Sequence, residues 1–482
     1  MYLSLGLSTV VSAVAGGDPY WVDYSTKCTL NNCDSVVPLD FSVDFQSSDT
    51  FVMYQTSQGN GDRLTKYHKS FSAQDTGDKH IVLDPEITYQ EITGFGGALT
   101  DSASLTISQL KDSSLQDQLL SNYYSTSGIE YSLARVPMAS CDFSLGVYSY
   151  DDVENDYSLD NFSIDVDRTD YTGQKLSFIH RVLDMSRHAA QDPLASHTTP
   201  LKLFASPWAP PAWMTQTNST VKNPSLRDEP QVYQAWALYF SKFFSAYHDE
   251  GIDFWGVTTQ NEPNGNTGAW QDLKYSATQM LDFVKGYLGP QLRETHPDVK
   301  IMVLDDQRTH LPEWTDTIFA DEEARNYIDG IGLHWYSSVE DYLAFFTKPF
   351  EKMRTVNEKY PEKFMLATEA CVGFIPVIDQ GPKLGNWQRA ERYGYDILYD
   401  LNAFAVGWTD WNIALDMSGG PNWAENVVDA PILIDTADGA TYYKNPMFYF
   451  LGHFSKFLTP GSRRIEATST APRLQKPVEV TS

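Results

Sequence analysis

The pattern of apolar positions along the chain changes near residue 91. Beyond this point, short apolar runs alternate with long segments whose apolar residues recur every three to four positions, the spacing of an amphipathic helix. The short runs predict strands, and eight of them stand out. They cover 92–100, 131–140, 201–206, 254–260, 300–305, 330–335, 363–368 and 405–411.

Amphipathic segments separate many of these strands. Asp101 and Ser102 are candidate caps for the first of them. Eight strands, each followed by a helix or a long loop over about 320 residues, predict an α/β protein with a (β/α)8 TIM barrel. The clearest helical patterns cover 104–124, 175–189, 232–250 and 389–404.

An open doubly wound sheet is the competing arrangement for such a pattern. Its dinucleotide-binding form needs a GxGxxG loop after the first strand, followed later by an acidic residue. The stretch GFGGALTD lacks that spacing and that partner. Gly94, Gly96 and Gly97 are therefore interpreted as close-packing positions of a barrel strand.

The chain before the barrel has the rhythm of a small β-domain. Residues 18–90 alternate short polar and apolar runs with turn residues, as antiparallel strands do. The barrel is expected over 91–430, and 431–482 then return to the β-domain through one helix. The stretch EATSTAPRLQKPVEVTS at the end predicts no closing strand, so this part is expected to be truncated. The strand candidates in the first part are SVDFQ, TFVMYQTS, SFSAQ and HIVLD.

The first seventeen residues carry a targeting pattern. An apolar run leads to Ala13, Val14 and Ala15, a small-x-small cleavage signature, so 1–17 is interpreted as the remnant of a signal peptide. The sequons at Asn161 and Asn218 are glycosylation candidates and fit the secretory pathway. No uninterrupted apolar stretch is long enough to span a bilayer.

Four cysteines add to this picture. Cys28 and Cys33 enclose the short polar loop TLNN and predict a local disulfide in a secreted protein. Zinc would need two more ligands nearby, which the sequence does not offer there. Cys141 and Cys371 lie in apolar contexts and are expected to be buried and free.

Net charge excludes one class of partner. At −28, with a pI of about 4.6, the chain repels nucleic acid, which is not expected to bind. The segment 151–170 carries much local acid and is interpreted as a solvated excursion after the second strand. It lacks the spacing of a calcium loop. No metal and no cofactor are predicted.

Chemically active side chains gather where the barrel strands end. In a (β/α)8 barrel, the carboxyl ends of the strands form the active face. Carboxylates, amides, indoles and a histidine stand there, a set suited to binding and cleaving a polar ligand. They are Arg135, Asp142, Trp208, Asn261, Glu262, His334, Trp335, Tyr336, Glu369, Asp410, Trp411 and Asn412.

Two glutamates form the natural catalytic pair. Glu262 ends the fourth strand and Glu369 the seventh. Hydrolysis of a glycosidic bond needs one acid to protonate the leaving oxygen and a second carboxylate on the other side of the sugar. A GxSxG nucleophile elbow and an HExxH zinc motif are both missing from the sequence, which disfavours serine hydrolases and zinc proteases. Either glutamate alone would read as a solvated loop residue.

Longer strings carry a resemblance to a known family. VTTQNEPNG resembles the acid/base motif of retaining glycosidases. ARVPMASCDFS, SPWAPPAWM, LDDQR, GLHWY, ATEACVG and GWTDWNIALDMSGGPNW resemble glycoside hydrolase family 30, and within it the animal lysosomal glucosylceramidases. The similarity extends over some nine-tenths of the chain. It implies a β-glucosidase that cleaves glucosylceramide to glucose and ceramide by double displacement.

The resemblance also implies roles for individual residues. Glu262 matches the acid/base and Glu369 the nucleophile. Arg135 matches a buried position near the nucleophile, and His334 and Tyr336 match the pair that orients it. The sugar hydroxyls would be held by Asp142, Trp208, Asn261, Trp411 and Asn426.

Partners and location follow from the same resemblance. It implies a saposin-type activator protein, peripheral contact with a membrane, and a lysosomal location. Two alternatives stay open. One is another family 30 specificity, such as a β-xylosidase or a β-1,6-glucanase. The other is a truncated, non-catalytic homologue that only binds.

Overall fold

The computed structural model describes residues 23–45, 47–71, 80–266, 268–337, 348–376 and 379–469. The signal-peptide prediction at 1–17 lies outside these residues, and so does most of the predicted strand SFSAQ. Among the described helices, none combines the length and apolar character needed to cross a membrane.

The first strands are antiparallel and lie outside the barrel. The runs TFVMYQTS and HIVLD are confirmed as strands, whereas SVDFQ is a turn. Asp40 explains the turn, because its carboxylate accepts from the Ser42 amide at 2.9 Å while its carbonyl accepts from the Asp44 amide. Numbered along the chain, these strands are β1 Thr26–Cys28, β2 Thr50–Gln55, β3 Thr65–Ser70 and β4 Ile81–Glu91.

Eight parallel strands close into a barrel, as the apolar runs predict. Their residues are almost all buried, which is why they read as continuous apolar runs rather than as alternating ones. The last strand pairs with the first, with Gly407 beside Gly94. The barrel strands are β5 Gly94–Ala98, β6 Leu133–Met138, β7 Lys202–Pro207, β8 Gly256–Thr258, β9 Lys300–Gln307, β10 Gly330–His334, β11 Phe364–Glu369 and β14 Ala405–Asn412.

The glycines of β5 permit close packing. A Cβ on Gly96 would lie 1.8 Å from the carbonyl oxygen of Leu133, and one on Gly97 would lie 2.7 Å from a methyl of Ile413. No larger residue fits at Gly96 unless the neighbouring strand moves. The close-packing interpretation of these glycines is confirmed.

Helices cover the outside of the barrel. The predicted helix 104–124 is wrong as a single element, because Asp112 ends the first segment and caps a second one through the Ser114 amide. The cap of the first helix is Thr100, whose hydroxyl accepts from Ala103; Asp101 and Ser102 lie inside the first turn. The helices are α1 Asp101–Ser108, α2 Ser113–Tyr124, α3 Lys175–Ala189, α4 Pro230–Asp249, α5 Ala277–Phe283, α6 Gly289–Thr295, α7 Glu313–Phe319, α8 Glu322–Tyr327, α9 Pro349–Lys359, α10 Trp387–Asn402 and α11 Pro446–Ser455.

Strands from both ends of the chain form small sheets beside the barrel. One sheet has the order β1-β17-β16-β15, and two further pairs are β2-β3 and β12-β13. The remaining pair is β4-β18. The strands are β12 Phe374–Ile375, β13 Asp379–Gln380, β15 Ala414–Asp416, β16 Ile432–Asp435, β17 Thr441–Lys444 and β18 Arg463–Ser469.

Strand β18 departs from the sequence prediction. The sequence predicts no strand after residue 465, but β18 continues to Ser469 and pairs antiparallel with β4. Most of its side chains are half-buried or exposed, so the strand carries no apolar alternation. The open edge of β4 supplies the backbone partners that the side-chain pattern does not reveal.

The cysteines follow the sequence prediction, whereas the acidic segment does so only in part. Cys28 and Cys33 form a disulfide, and Cys141 and Cys371 are buried and free. Within 151–170, most acids are exposed, but Asp151 and Asp167 are buried. The solvated interpretation is wrong for Asp167, whose carboxylate accepts from two tyrosine hydroxyls. Asn161 and Asn218 lie on surface loops, and their glycosylation stays a prediction.

Candidate active site

The two glutamates meet at the carboxyl end of the barrel. Glu369 is the last residue of β11, and Glu262 stands in the turn after β8. One carboxylate oxygen of each lies within 4.8 Å of the other. Glu262 has a φ of +45°, which is uncommon outside glycine. Its amide donates to Asp305 O at 2.9 Å, and its carbonyl accepts from Gly265, so two backbone bonds hold the turn.

A buried arginine connects the pair to the strands around it. Arg135, on β6, donates to a carboxylate oxygen of Glu369. Its other nitrogens donate to Asn261 Oδ1 at 2.9 Å, Asp305 Oδ2 at 2.8 Å and Ser206 Oγ at 3.0 Å. The guanidinium is fully buried and balanced by two carboxylates, which a buried cation requires. It therefore fixes the side of Glu369 that faces away from solvent.

Asp305 is the hub of this network, and sequence reasoning gave it no role. Its carboxylate accepts from Arg135, from Thr258 and Thr368 at 2.6 Å each, and faces His334 Nε2 at 3.1 Å. Burial alone would raise the pKa of Asp305, but Arg135 and His334 outweigh it and hold the pKa well below its usual range. Asp305 is thus a fixed anion beneath the two glutamates.

His334 lies between this anion and Glu262. Its Nδ1 is 3.3 Å from Glu262 Oε1. Burial favours the neutral ring, but the nearby Glu369 and the bonds to Asp305 and Glu262 outweigh burial and raise the pKa of His334 to about 10. The imidazolium donates from both nitrogens. The sequence placed His334 beside the nucleophile; its hydrogen bonds go to Glu262 and Asp305 instead.

Tyr336 and Gln307 complete the contacts of the pair. The Tyr336 hydroxyl donates to Glu369 Oε1 at 2.7 Å. The Gln307 amide donates to Glu262 Oε1 at 3.2 Å and is itself held by the Ser337 amide at 3.1 Å. Gln307, like Asp305, lies in the LDDQR string that ends the fifth strand. An inventory of all eight strand ends would have found both residues.

Aromatic and amide side chains build a platform beside the glutamates. The rings of Trp208 and Trp411 stack with centroids 5.2 Å apart, and the Arg135 guanidinium lies 4.9 Å from the Trp208 ring. Asp142 Oδ2 accepts from Asn426 at 2.9 Å and from Asn422 at 3.3 Å. All the residues assigned to sugar hydroxyls thus lie at this end of the barrel.

The charge state of Asp142 depends on its surroundings. Burial raises the pKa of Asp142 to about 7, with the nearby Glu369 adding to the effect and the amides of Asn426 and Asn422 opposing it. The carboxyl group therefore titrates near neutrality, well above an exposed aspartate.

One triad has the spacing of a cation site. The ligand atoms of Glu262, His334 and Glu369 all lie within 4.8 Å of one another. A metal would need a neutral imidazole, whereas His334 is held protonated, and Arg135 already occupies Glu369 with a positive charge. The donors favour proton transfer and hydroxyl binding over a divalent cation.

Comparison with known proteins identifies the family. Residues 92–458 match the glycosyl hydrolase family 30 TIM-barrel domain. The chain is 41% identical over 445 residues to the lysosomal acid glucosylceramidase of Mus musculus, covering 91% of this chain and 81% of the mouse protein.

Solved structures show the same architecture. SrfJ from Salmonella typhimurium superposes with a TM-score of 0.74 at 29% identity, covering 84% of each chain. The endo-β1,6-glucanase BT3312 gives a TM-score of 0.72 at 27% identity, covering 87% of this chain and 86% of that one.

Proposed function

The chain belongs to glycosyl hydrolase family 30 and is a glycoside hydrolase; we propose that it is a retaining β-glucosidase that cleaves glucosylceramide into glucose and ceramide. The observation that carries the mechanism is the separation of the two glutamates. Retaining enzymes hold their carboxyl groups about 5–5.5 Å apart, whereas inverting enzymes leave room for a water between them. A closest oxygen separation within 4.8 Å supports the retaining arrangement.

In the first step, Glu262 protonates the glycosidic oxygen while a Glu369 oxygen attacks the anomeric carbon. The bond to the aglycone breaks, and a glycosyl ester forms on Glu369. In the second step, Glu262 takes a proton from water, which displaces Glu369 and releases glucose. Overall configuration is retained because the anomeric carbon is inverted twice.

The contacts of each glutamate support these roles. Glu369 receives donors from Arg135 and Tyr336, which stabilise the carboxylate as nucleophile and as leaving group. For Glu262, the donors from His334 and Gln307 both bind Oε1. Oε2 is thus the oxygen that carries the proton to the leaving group.

Sugar recognition is assigned to the platform. Trp208 and Trp411 supply ring surface and indole donors, and Asp142, Asn261 and Asn426 supply hydrogen bonds to hydroxyls. Asn261 is held by Arg135 through Oδ1, which turns its amide nitrogen toward other partners. A bond from Asn261 to the sugar 2-hydroxyl would strengthen in the transition state.

The lipid half of the substrate rests on the similarity to the mouse glucosylceramidase. The same similarity supports a lysosomal location, peripheral contact with membrane and a saposin-type activator protein. A chain of net charge −28 would approach anionic lipid more easily at acid pH, where carboxylates are partly neutralised.

A second specificity is favoured by one comparison. The likeness to an endo-β1,6-glucanase supports cleavage of β-1,6-linked glucose as the alternative within the family. β-Xyloside cleavage and a binding-only role complete the set. Assays with glucosylceramide, an aryl β-glucoside, an aryl β-xyloside and a β-1,6-glucan, run side by side, separate these functions.

The decisive experiment is labelling with a cyclitol epoxide, a mechanism-based inhibitor of retaining β-glucosidases. We expect one covalent adduct, mapped to the peptide that contains Glu369, and loss of glucosidase activity in proportion to labelling. Glu369→Gln is the matched control and should take up no label. An adduct on another residue, or a folded protein that takes up no label, would refute the proposed mechanism.

A further inference from the structure

A buried lysine lies beneath the turn that follows β6. Lys175 is the first residue of α3, and its side chain is fully buried. Its ammonium group donates to the carbonyl oxygens of Pro137 at 3.1 Å and Ala139 at 3.4 Å. Ala139 has a φ of +63°, a conformation that costs an alanine about 1 kcal/mol or more. The lysine thus holds the backbone where it is strained.

Two buried carboxylates balance the lysine. Its nitrogen lies 3.2 Å from Asp101 Oδ1 and 3.9 Å from Asp167 Oδ1. Asp167 is satisfied further by the hydroxyls of Tyr150 and Tyr247 at 2.6 and 2.7 Å. A buried charge cluster of this kind is costly to assemble, and filling space does not require one.

A hydrogen-bond chain connects this cluster to Asp142. Asp101 Oδ2 accepts from the Ser144 hydroxyl at 2.6 Å. The same Ser144 oxygen accepts from the Cys141 amide at 3.2 Å, which closes the turn around Asp142. On the other side of this turn, the Phe143 carbonyl accepts from the Ser102 amide at 3.0 Å. The backbone on both sides of Asp142 is therefore fixed from beneath.

The carboxylate of Asp142 is fixed from the opposite side. Asn426 and Asn422 hold Oδ2, and the Trp423 indole donates to the Cys141 carbonyl at 2.9 Å. These groups come from the loop after β15, whereas Lys175 comes from α3. The position of Asp142 thus depends on two independent supports.

We infer that Lys175 is a positioning residue for glucoside hydrolysis: through Asp101 and Ser144 it holds the turn 139–144 so that Asp142 meets the sugar hydroxyls in the transition state. This inference rests on the proposed function. Binding groups must be placed to within about 0.5 Å to be effective, and a shift of about 1 Å can cost 100-fold in rate.

A second buried lysine provides a matched control. Lys456 donates to the carbonyls of Thr126 and Gly128 at 2.8 and 3.0 Å and pairs with Glu130. It lies before β6 rather than after it. Lys175→Met and Lys456→Met remove the same charge from equally buried sites, and only the first site is linked to Asp142.

The experiment compares both variants with wild type on an aryl β-glucoside and on analogues that each lack one sugar hydroxyl. Rates are expressed per competent site, counted by cyclitol epoxide labelling. Asp142→Asn first identifies the hydroxyl that Asp142 binds, as the one whose removal makes this variant and wild type equal. On the complete glucoside, Lys175→Met should lower kcat/KM by about 10- to 100-fold. On the identified analogue this loss should disappear, and Lys456→Met should change neither value.

Two results would overturn the inference. One is an unchanged kcat/KM for Lys175→Met, and the other is an equal loss on the glucoside and on every analogue, the pattern of a general structural defect. If Lys175→Met does not fold, Ser144→Ala keeps the charge cluster and removes only the link to the Cys141 amide, and the same analogue pattern decides. A wild type without glucosidase activity would refute the proposed function itself, and the positioning role with it.

Discussion

The two ends of strand β6 use the same device for different purposes. Before the strand, Lys456 holds Thr126, Gly128 and Glu130; after it, Lys175 holds Pro137 and Ala139. Both lysines are buried, and both support a residue with positive φ, Glu130 at +52° and Ala139 at +63°. The difference lies in what comes next along the chain.

At the carboxyl end, charges are arranged in excess of what packing needs. Lys175 faces two carboxylates, which outweigh burial and raise the pKa of Lys175. Lys456 faces one, and burial prevails and lowers the pKa of Lys456. In (β/α)8 barrels, the carboxyl end carries the chemistry and the amino end carries stability. Variants at the two ends should therefore separate activity from stability.

The largest separation is expected at Glu369. Glu369→Gln removes the nucleophile but keeps the shape and the hydrogen bond to Tyr336, so the fold should persist. Loss of a nucleophile elsewhere lowers kcat by about 10⁶-fold. Glucoside hydrolysis should fall to near background while thermal unfolding stays within a few degrees of wild type. Substantial residual activity would place the nucleophile elsewhere.

A smaller loss is expected at Glu262. Glu262→Gln removes the proton donor, which contributes about 10²- to 10⁴-fold in general acid–base catalysis. Activated aryl glucosides, whose leaving groups need no proton, should still form the glycosyl ester. Added azide should then restore turnover and yield β-glucosyl azide, measurable by mass spectrometry. Absence of rescue would contradict the acid/base role.

The opposite end of β6 should show the reverse behaviour. Lys456→Met leaves Glu130 buried without its cation, and removal of one partner of a buried pair costs about 3–5 kcal/mol. Urea unfolding followed by tryptophan fluorescence should shift to lower urea, with kcat/KM per competent site unchanged. A variant with full stability, or one with altered kinetics per site, would erase the distinction between the two ends.

Sequence reasoning predicted the barrel because fully buried parallel strands read as apolar runs. It located Glu262 and Glu369 because each stands at a strand end. It gave no role to Asp305, since Leu304 and Asp305 have φ values of +70° and +52°, which interrupts the alternation of β9. Strand parity therefore could not tell which of the two adjacent acids faces the barrel interior; Asp306 instead binds Asn264 at 3.0 Å.

Lys175 illustrates a second limit. At the start of an amphipathic segment, a lysine reads as a solvated helix residue. Its burial depends on Asp101 and Asp167, which come from α1 and from an acidic segment that also reads as surface. No local pattern joins these three positions. Only their meeting in space shows that the charges compensate one another.

The pH dependence of stability offers a further contrast between the two ends. Asp142 has a pKa of about 7 when folded, raised by burial from 3.8, so between these values the folded protein holds a proton that the unfolded chain has released. Stability from this group is present below about pH 4 and is lost as pH rises through about 7. The slope reaches about 1.4 kcal/mol per pH unit.

Asp142→Asn cannot titrate and should remove this slope. Urea unfolding from pH 4.5 to 7.5 measures it as the difference between variant and wild type. Lys456→Met is the control and should keep the wild-type slope on a lower curve. A parallel curve for Asp142→Asn would show that Asp142 is ionised throughout this range.

The smallest effect is expected at the disulfide, which belongs to the amino end of β6. The Val36 amide, three residues beyond Cys33, donates to Ser127 O at 2.8 Å in the loop before the strand. Cys28 and Cys33 are separated by 5 positions, and closing so short a loop stabilises a chain by about 2 kcal/mol in the loop-entropy model. Replacing both cysteines with serine should lower the free energy of unfolding by that amount and leave kcat and KM unchanged. A kinetic effect of this substitution would mean that the two ends of β6 are mechanically coupled, and the assignment of separate roles to Lys456 and Lys175 would then fail.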